Sequence, residues 1–215
     1  MRKLSILGVV LGALLVPAAA SAQLTLGGRL GYGITGGDVA EGMKFSDGVK
    51  AVIPIQLDVG YNVTKELNVG AFFSYGFGML ASDFKDECDA DNIDCSVSNM
   101  RLGIQASFAF EDLNPQFVPW IGFGIGYEWM KLDSNVLGTD VTLTYSGFEL
   151  ANLQLGADFK ASPQLRFGPF VSYSFGKFGK VKAEAGGESD SEDIPSDSKA
   201  NHTYLTIGVR GQFGM

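Results

Sequence analysis

Cysteine, histidine and positive charge are all scarce in this 215-residue chain. Two Cys and one His cannot build a Cys/His zinc cluster or a haem attachment site, so neither metal nor cofactor is expected. Lys and Arg total 16 against 24 Asp and Glu, a formal net charge of −8. Nucleic acid is held by clustered cations, and this balance argues against it as a partner. Beyond residue 22 no run approaches the ~18–20 apolar residues of a membrane-spanning helix.

The first 22 residues read as a cleavable secretory leader. Arg2 and Lys3 supply the positive start, Leu4 to Val16 the apolar stretch, and Ala20-Ser21-Ala22 the small-residue cleavage site. Residues 23–215 are then expected to form one exported domain.

In that domain glycine and phenylalanine are abundant, at 29 and 16 residues for the whole chain, and the dominant period is two. Leu67, Val69, Ala71, Phe73, Tyr75, Phe77 and Met79 alternate with Asn68, Gly70, Phe72, Ser74, Gly76 and Gly78. Eight such segments are predicted, at 24–34, 51–62, 67–80, 98–110, 117–130, 147–160, 164–177 and 202–213. Compact joints at 63–66, 111–116 and 161–163 alternate with long polar ones at 35–50, 81–97, 131–146 and 178–201. The rhythm predicts an all-β, eight-stranded, antiparallel up-and-down transmembrane barrel with four long external loops.

Residue type decides which face is enclosed. Glycines such as Gly27, Gly70, Gly122, Gly156 and Gly208 share one face, whereas Gly28 and Gly211 fall opposite. Every arginine after the leader lies on the small-residue face, beside Asp58, Glu128 and Asp158. An enclosed network suits Arg, whose fixed fork satisfies carboxylates with several hydrogen bonds. Large apolar side chains are therefore expected to touch lipid, with rings such as Tyr61 and Phe213 at one end and Tyr127 and Trp129 at the other.

The leader, the eight segments, the long loops and the final strand Tyr204–Phe213 together resemble the small bacterial outer-membrane β-barrel proteins, typified by the transmembrane domain of outer membrane protein A. The resemblance covers residues 23–213 and departs at the end, where Gly214 and Met215 follow an aromatic that is usually terminal. It implies insertion by the outer-membrane assembly machinery, contact with outer-membrane lipids, and both mature termini in the periplasm.

Candidate site residues form two groups. Arg29, Asp58, Arg101, Glu128, Asp158, Arg166 and Arg210 are expected to make an interior ionic network, with Asp158 facing Arg166 across the 161–163 turn and Arg101 near Glu128. Cys88 and Cys95 are spaced to pin the second long loop as a disulfide. The acids around them, Asp83, Asp86, Glu87, Asp89, Asp91 and Asp94, lack the EF-hand glycine and final glutamate and read as a solvated loop. His202 reads as a rim histidine making an ordinary hydrogen bond. The expected function is a noncatalytic structural or surface-interaction protein, a monomer that meets any extracellular ligand through its loops; the alternative is a narrow channel for ions or small solutes.

Overall fold

The computed structural model describes residues 24–215 except 41, 91–92, 115 and 137–138, and only the backbone of Glu87, Asp89, Ala90 and Val136. The expected leader, residues 1–22, lies outside the described residues. In chain order the elements are β1 (Leu24–Ala40), β2 (Met43–Lys44), α1 (Phe45–Gly48), β3 (Val49–Asn62), β4 (Leu67–Leu80), α2 (Ser82–Ala90), β5 (Asp94–Ala109), β6 (Phe117–Val136), β7 (Thr139–Lys160), β8 (Leu165–Ala185), β9 (Glu188–Asp193) and β10 (Asn201–Gly214).

The strand count corrects the expectation of an eight-stranded barrel. The described residues form an all-β sheet of ten strands, whose pairings run as a ring because β10 pairs with both β1 and β8. The two unforeseen strands, β2 and β9, sit inside segments read as loops. Neither carries the apolar alternation that marks the others: β9 is Glu-Ser-Asp-Ser-Glu-Asp, exposed throughout. Its signal is instead the preceding Gly186-Gly187, which adopts φ of +58° and +89° and makes the two-residue turn of a hairpin.

The long loops are also shorter than expected. β6 and β7 run on together as far as Val136 and Thr139, so most of 131–146 is hairpin rather than loop. β7 has 22 residues, about twice the ~9–11 that a tilted strand needs to cross the hydrocarbon layer. The remainder stands clear of that layer as an extension built from β5 to β9. Residues 81–97 contain α2, joined to the start of β5 by a Cys88–Cys95 disulfide.

The ring satisfies backbone hydrogen bonds strand to strand, a requirement wherever water is excluded. Its faces are inverted relative to a water-soluble domain. Leu57 and Ile104 are each 61% exposed on the outside, whereas Asp158 and Glu128 are each 1% exposed within. Interior volume is limited, and glycine makes space for rings there. A Cβ at Gly156 would fall 2.7 Å from the Trp120 ring. At Gly211, on the outer face, a Cβ would meet nothing within 4 Å. The short-turn end is closed locally, Ser162 Oγ accepting from the backbone N–H groups of Gln164 and Leu165.

This contrast yields a test of which face is full. Gly156→Val should destabilise the protein by about 1–3 kcal/mol through overpacking, measured by urea unfolding from lipid vesicles. Gly211→Val should shift the midpoint little. Equal sensitivity at the two positions would contradict the assigned faces.

Candidate functional site

The interior is organised in layers. Nearest the short turns, Glu111 binds both Lys160 and Arg166, the latter at 2.6 Å. Arg166 thus pairs with the 111–116 turn and not with Asp158, although the 161–163 turn brings their strands together. The reason is depth: Arg166 lies at the strand end, where the turn acid is within reach.

Above this lies the densest network. Arg29 donates through Nε to Asp58 at 2.7 Å and through its two terminal nitrogens to Gln154 (2.7 Å) and Gln105 (3.1 Å). Gln56 and Gln105 also donate to the second oxygen of Asp58. Arg210 grips Asp158 in a fork at 2.9 and 2.5 Å, while its guanidinium stacks 3.4 Å from the Trp120 ring centroid and Trp120 Nε1 donates to the same carboxylate. Arg29 and Arg210 are direct neighbours across the β1–β10 pairing. Each has its own carboxylate, which offsets the repulsion of two buried cations.

The next layer departs from expectation. Arg101 and Glu128 are partners in the β5–β6 register, yet their side chains pair elsewhere. Arg101 binds Glu149 at 3.0 Å, and Glu128 binds His202. Sequence reading missed Glu149, because strict alternation from Asp158 sends it outward. A bulge at Leu150 and Ala151, opposite Ile125, inserts one residue and reverses the phase. Glu149 and Asn152, three apart, consequently both point inward and hydrogen-bond at 2.8 Å. The available signal was a carboxylate stranded between Phe148 and Leu150 on a face meant for lipid.

His202 is not a rim residue: it is 0% exposed. It stacks on Phe178 at 4.0 Å and meets Phe45 and Tyr204 edge-on. Phe45 is carried inward by α1, so part of the first long loop folds into the mouth of the ring. Val39, Val49, Val97, Met130 and Ile194 complete an apolar cap over the polar layers. Voids are small: one beside Arg29 and Asp58 and another beside Arg29 and Arg101 each measure about 10 Å3, room for roughly one water. Arg29 lines both. Among the described residues no group of three or more His, Cys, Asp or Glu is placed to hold a metal ion. Of the acids near the disulfide, Asp91 and the side chains of Glu87 and Asp89 lie outside the described residues.

Two measurements probe these layers. Asp158→Asn leaves Arg210 buried without its anion and should cost about 3–5 kcal/mol, whereas pairing Asp158→Leu with Arg210→Met should recover more than half of that loss in urea unfolding. Burial alone raises the pKa of Glu111, but hydrogen bonds and charge from Lys160 and Arg166 outweigh it and hold the carboxyl below its ordinary value. A carboxyl depressed in the folded state adds stability above its unfolded pKa and loses it as pH falls through the folded one. The thermal midpoint of the native protein should therefore drop more between about pH 6 and pH 3 than that of Glu111→Gln; matching curves would dismiss the contribution.

Comparison with known proteins places this architecture. No curated protein matches the chain. Among solved structures, a major outer membrane protein of Thermus thermophilus is similar with a TM-score of 0.56 at 14% identity, over 88% of this chain and 99% of that one. Neisserial surface protein A aligns with a TM-score of 0.52 at 13% identity, over 89% and 98%. OprG of Pseudomonas aeruginosa gives 0.51 at 12%, over 91% and 97%. At such identities the likeness concerns the fold. The family model described as "outer membrane protein beta-barrel domain" matches residues 6–169, which is most of the chain, and with strands that turn their apolar faces outward and their charges inward, this protein belongs to that family of bacterial outer-membrane barrels.

Proposed function

We propose that the protein is a noncatalytic scaffold of the outer membrane that presents its extended strands to ligands outside the cell, with both mature termini in the periplasm and the ring acting as a monomer. The observation that carries this reading is the filled interior. The Arg29–Asp58 and Arg210–Asp158 network occupies one level, and the ring cluster of Phe45, Phe178, His202 and Tyr204 occupies another. A rigid plugged ring is suited to holding a surface in place. The position of His202 also speaks against general-base chemistry, since a base must reach the proton it takes. Its accessible surface is nil, and its Nε2 is engaged by Glu128.

Above the cap, β6 to β9 form a raised sheet edged by the acidic β9, which offers a solvated surface distinct from the lipid-facing band. A ligand there would meet Glu188, Asp190, Glu192 and Asp193. The channel reading has weaker support, because the two voids that Arg29 lines each have room for roughly one water and the apolar cap lies above them.

Two experiments test the proposal. Purified protein in a planar lipid bilayer should carry no sustained current; a steady ohmic conductance altered by Asp58→Asn would favour the narrow channel instead. An epitope inserted between Gly186 and Gly187 should be labelled on intact cells, and labelling only after permeabilisation would reverse the proposed orientation.

A further inference from the structure

A second β-bulge lies on β8. Ser146 pairs with Lys180 while Gly147 pairs with Phe178, leaving Gly179 as the extra residue. Phe178 points into the cap and Val181, past the bulge, packs against it as well. Lys177 and Lys180 are three residues apart, and the phase reversal turns both outward. Lys199, from the segment before β10, folds over the same spot, its Nζ lying 4.0 Å from where a Cβ on Gly179 would stand. Three cations of an acidic protein thus gather at one break in the sheet.

They gather over an apolar floor. The three lysines line a cavity of about 310 Å3 together with Tyr127, Phe148 and Leu150. Phe148 and Leu150 are 63% and 48% exposed, continuous with the lipid-facing band, and Tyr127 meets Phe148 edge-on at 5.1 Å. The place is the boundary where acyl chains give way to headgroups on the long-loop side, the level at which aromatic rings settle. Asp193 reaches Lys180 only at 3.8 Å and is itself 83% exposed. Among the described residues, neither Lys177 nor Lys199 is paired with a carboxylate. Lys131 and Lys182, by contrast, each hold an acid two residues away at 2.7 and 2.8 Å.

The geometry points to a headgroup site for a phosphate-bearing lipid of the adjoining leaflet, with the phosphate held by Lys177, Lys180 and Lys199 and the first methylenes of its acyl chains laid on Phe148 and Leu150. A free phosphate would use only half of this arrangement. An anchored one uses both halves, each lysine near a membrane surface adding to anion affinity while the acyl chain stays in hydrocarbon.

Native mass spectrometry of the full chain in a zwitterionic detergent provides the test, with dioleoyl phosphatidic acid, dioleoylglycerol and inorganic phosphate as probes. Phosphatidic acid should bind at one saturable site, dioleoylglycerol should not, and inorganic phosphate at matching concentration should not displace the lipid. Lys177→Gln/Lys180→Gln/Lys199→Gln should weaken binding roughly a hundredfold, and Lys199→Gln alone about fivefold; Lys131→Gln/Lys182→Gln should leave it unchanged. Folding of each variant is checked by its heat-dependent gel mobility, and if the triple variant does not fold the single one decides. Unchanged affinity in the lysine variants overturns the site, as does an equal loss in the control. Displacement by inorganic phosphate would make it a soluble-anion site and refute the lipid assignment.

Discussion

Enclosed guanidinium–carboxylate pairing is the interaction on which the rest of this structure depends. Once the apolar faces are committed to lipid, every charge within the membrane-crossing part of the strands has only the lumen to occupy. Arg29 and Arg210 sit side by side where the first and last strands meet, and two unpaired cations there would be costly to bury. Asp58 and Asp158 remove that cost from opposite directions, one on β3 and the other on β7. Gln105 extends the grip to β5, and Gln154 adds a second hold on β7. The network therefore ties together elements that are distant in sequence, and the glycines around it keep the backbone from filling the space it needs.

The layer above follows the same rule with less symmetry. It contains two carboxylates, Glu128 and Glu149, against the single guanidinium of Arg101, and the imidazole of His202 is the second partner they share the layer with. That imidazole is also the hinge between chemistries: one edge faces a carboxylate, and the ring plane lies on Phe178. The polar interior thus passes into an apolar cap without an abrupt boundary.

Much of this was legible in the sequence, and the failures have a common cause. Alternation reveals the membrane-crossing strands and their faces because each of those faces has one solvent, lipid or lumen. Leu57 beside Asp58 is unambiguous. Where a strand leaves the membrane the contrast fades, and β9, the outer part of β7 and the short β2 read as loops. Pairings inside the lumen are harder still. Backbone register sets Arg101 against Glu128, but long side chains choose partners across the lumen, and a single inserted residue at Leu150 delivers Glu149 as a competitor. Phe45 is hidden in a segment whose polarity suggests exposure. Asp158 finds Arg210 and not Arg166 because distance along the lumen, invisible in spacing alone, decides the match.

The pairing of β1 with β10, which runs from Thr25 opposite Gly214 to Gly37 opposite His202, has a consequence for how the molecule forms. Its two partners are separated in sequence by all the other strands of the ring. Contacts of such long sequence separation carry the greatest loop-closure entropy and delay assembly. Until they zip, the edges of both strands present unpaired backbone groups, which hydrocarbon does not tolerate. Closure of the ring is thus coupled to membrane entry, and loss of β10 would expose the edges of β1 and β8 together instead of removing one strand.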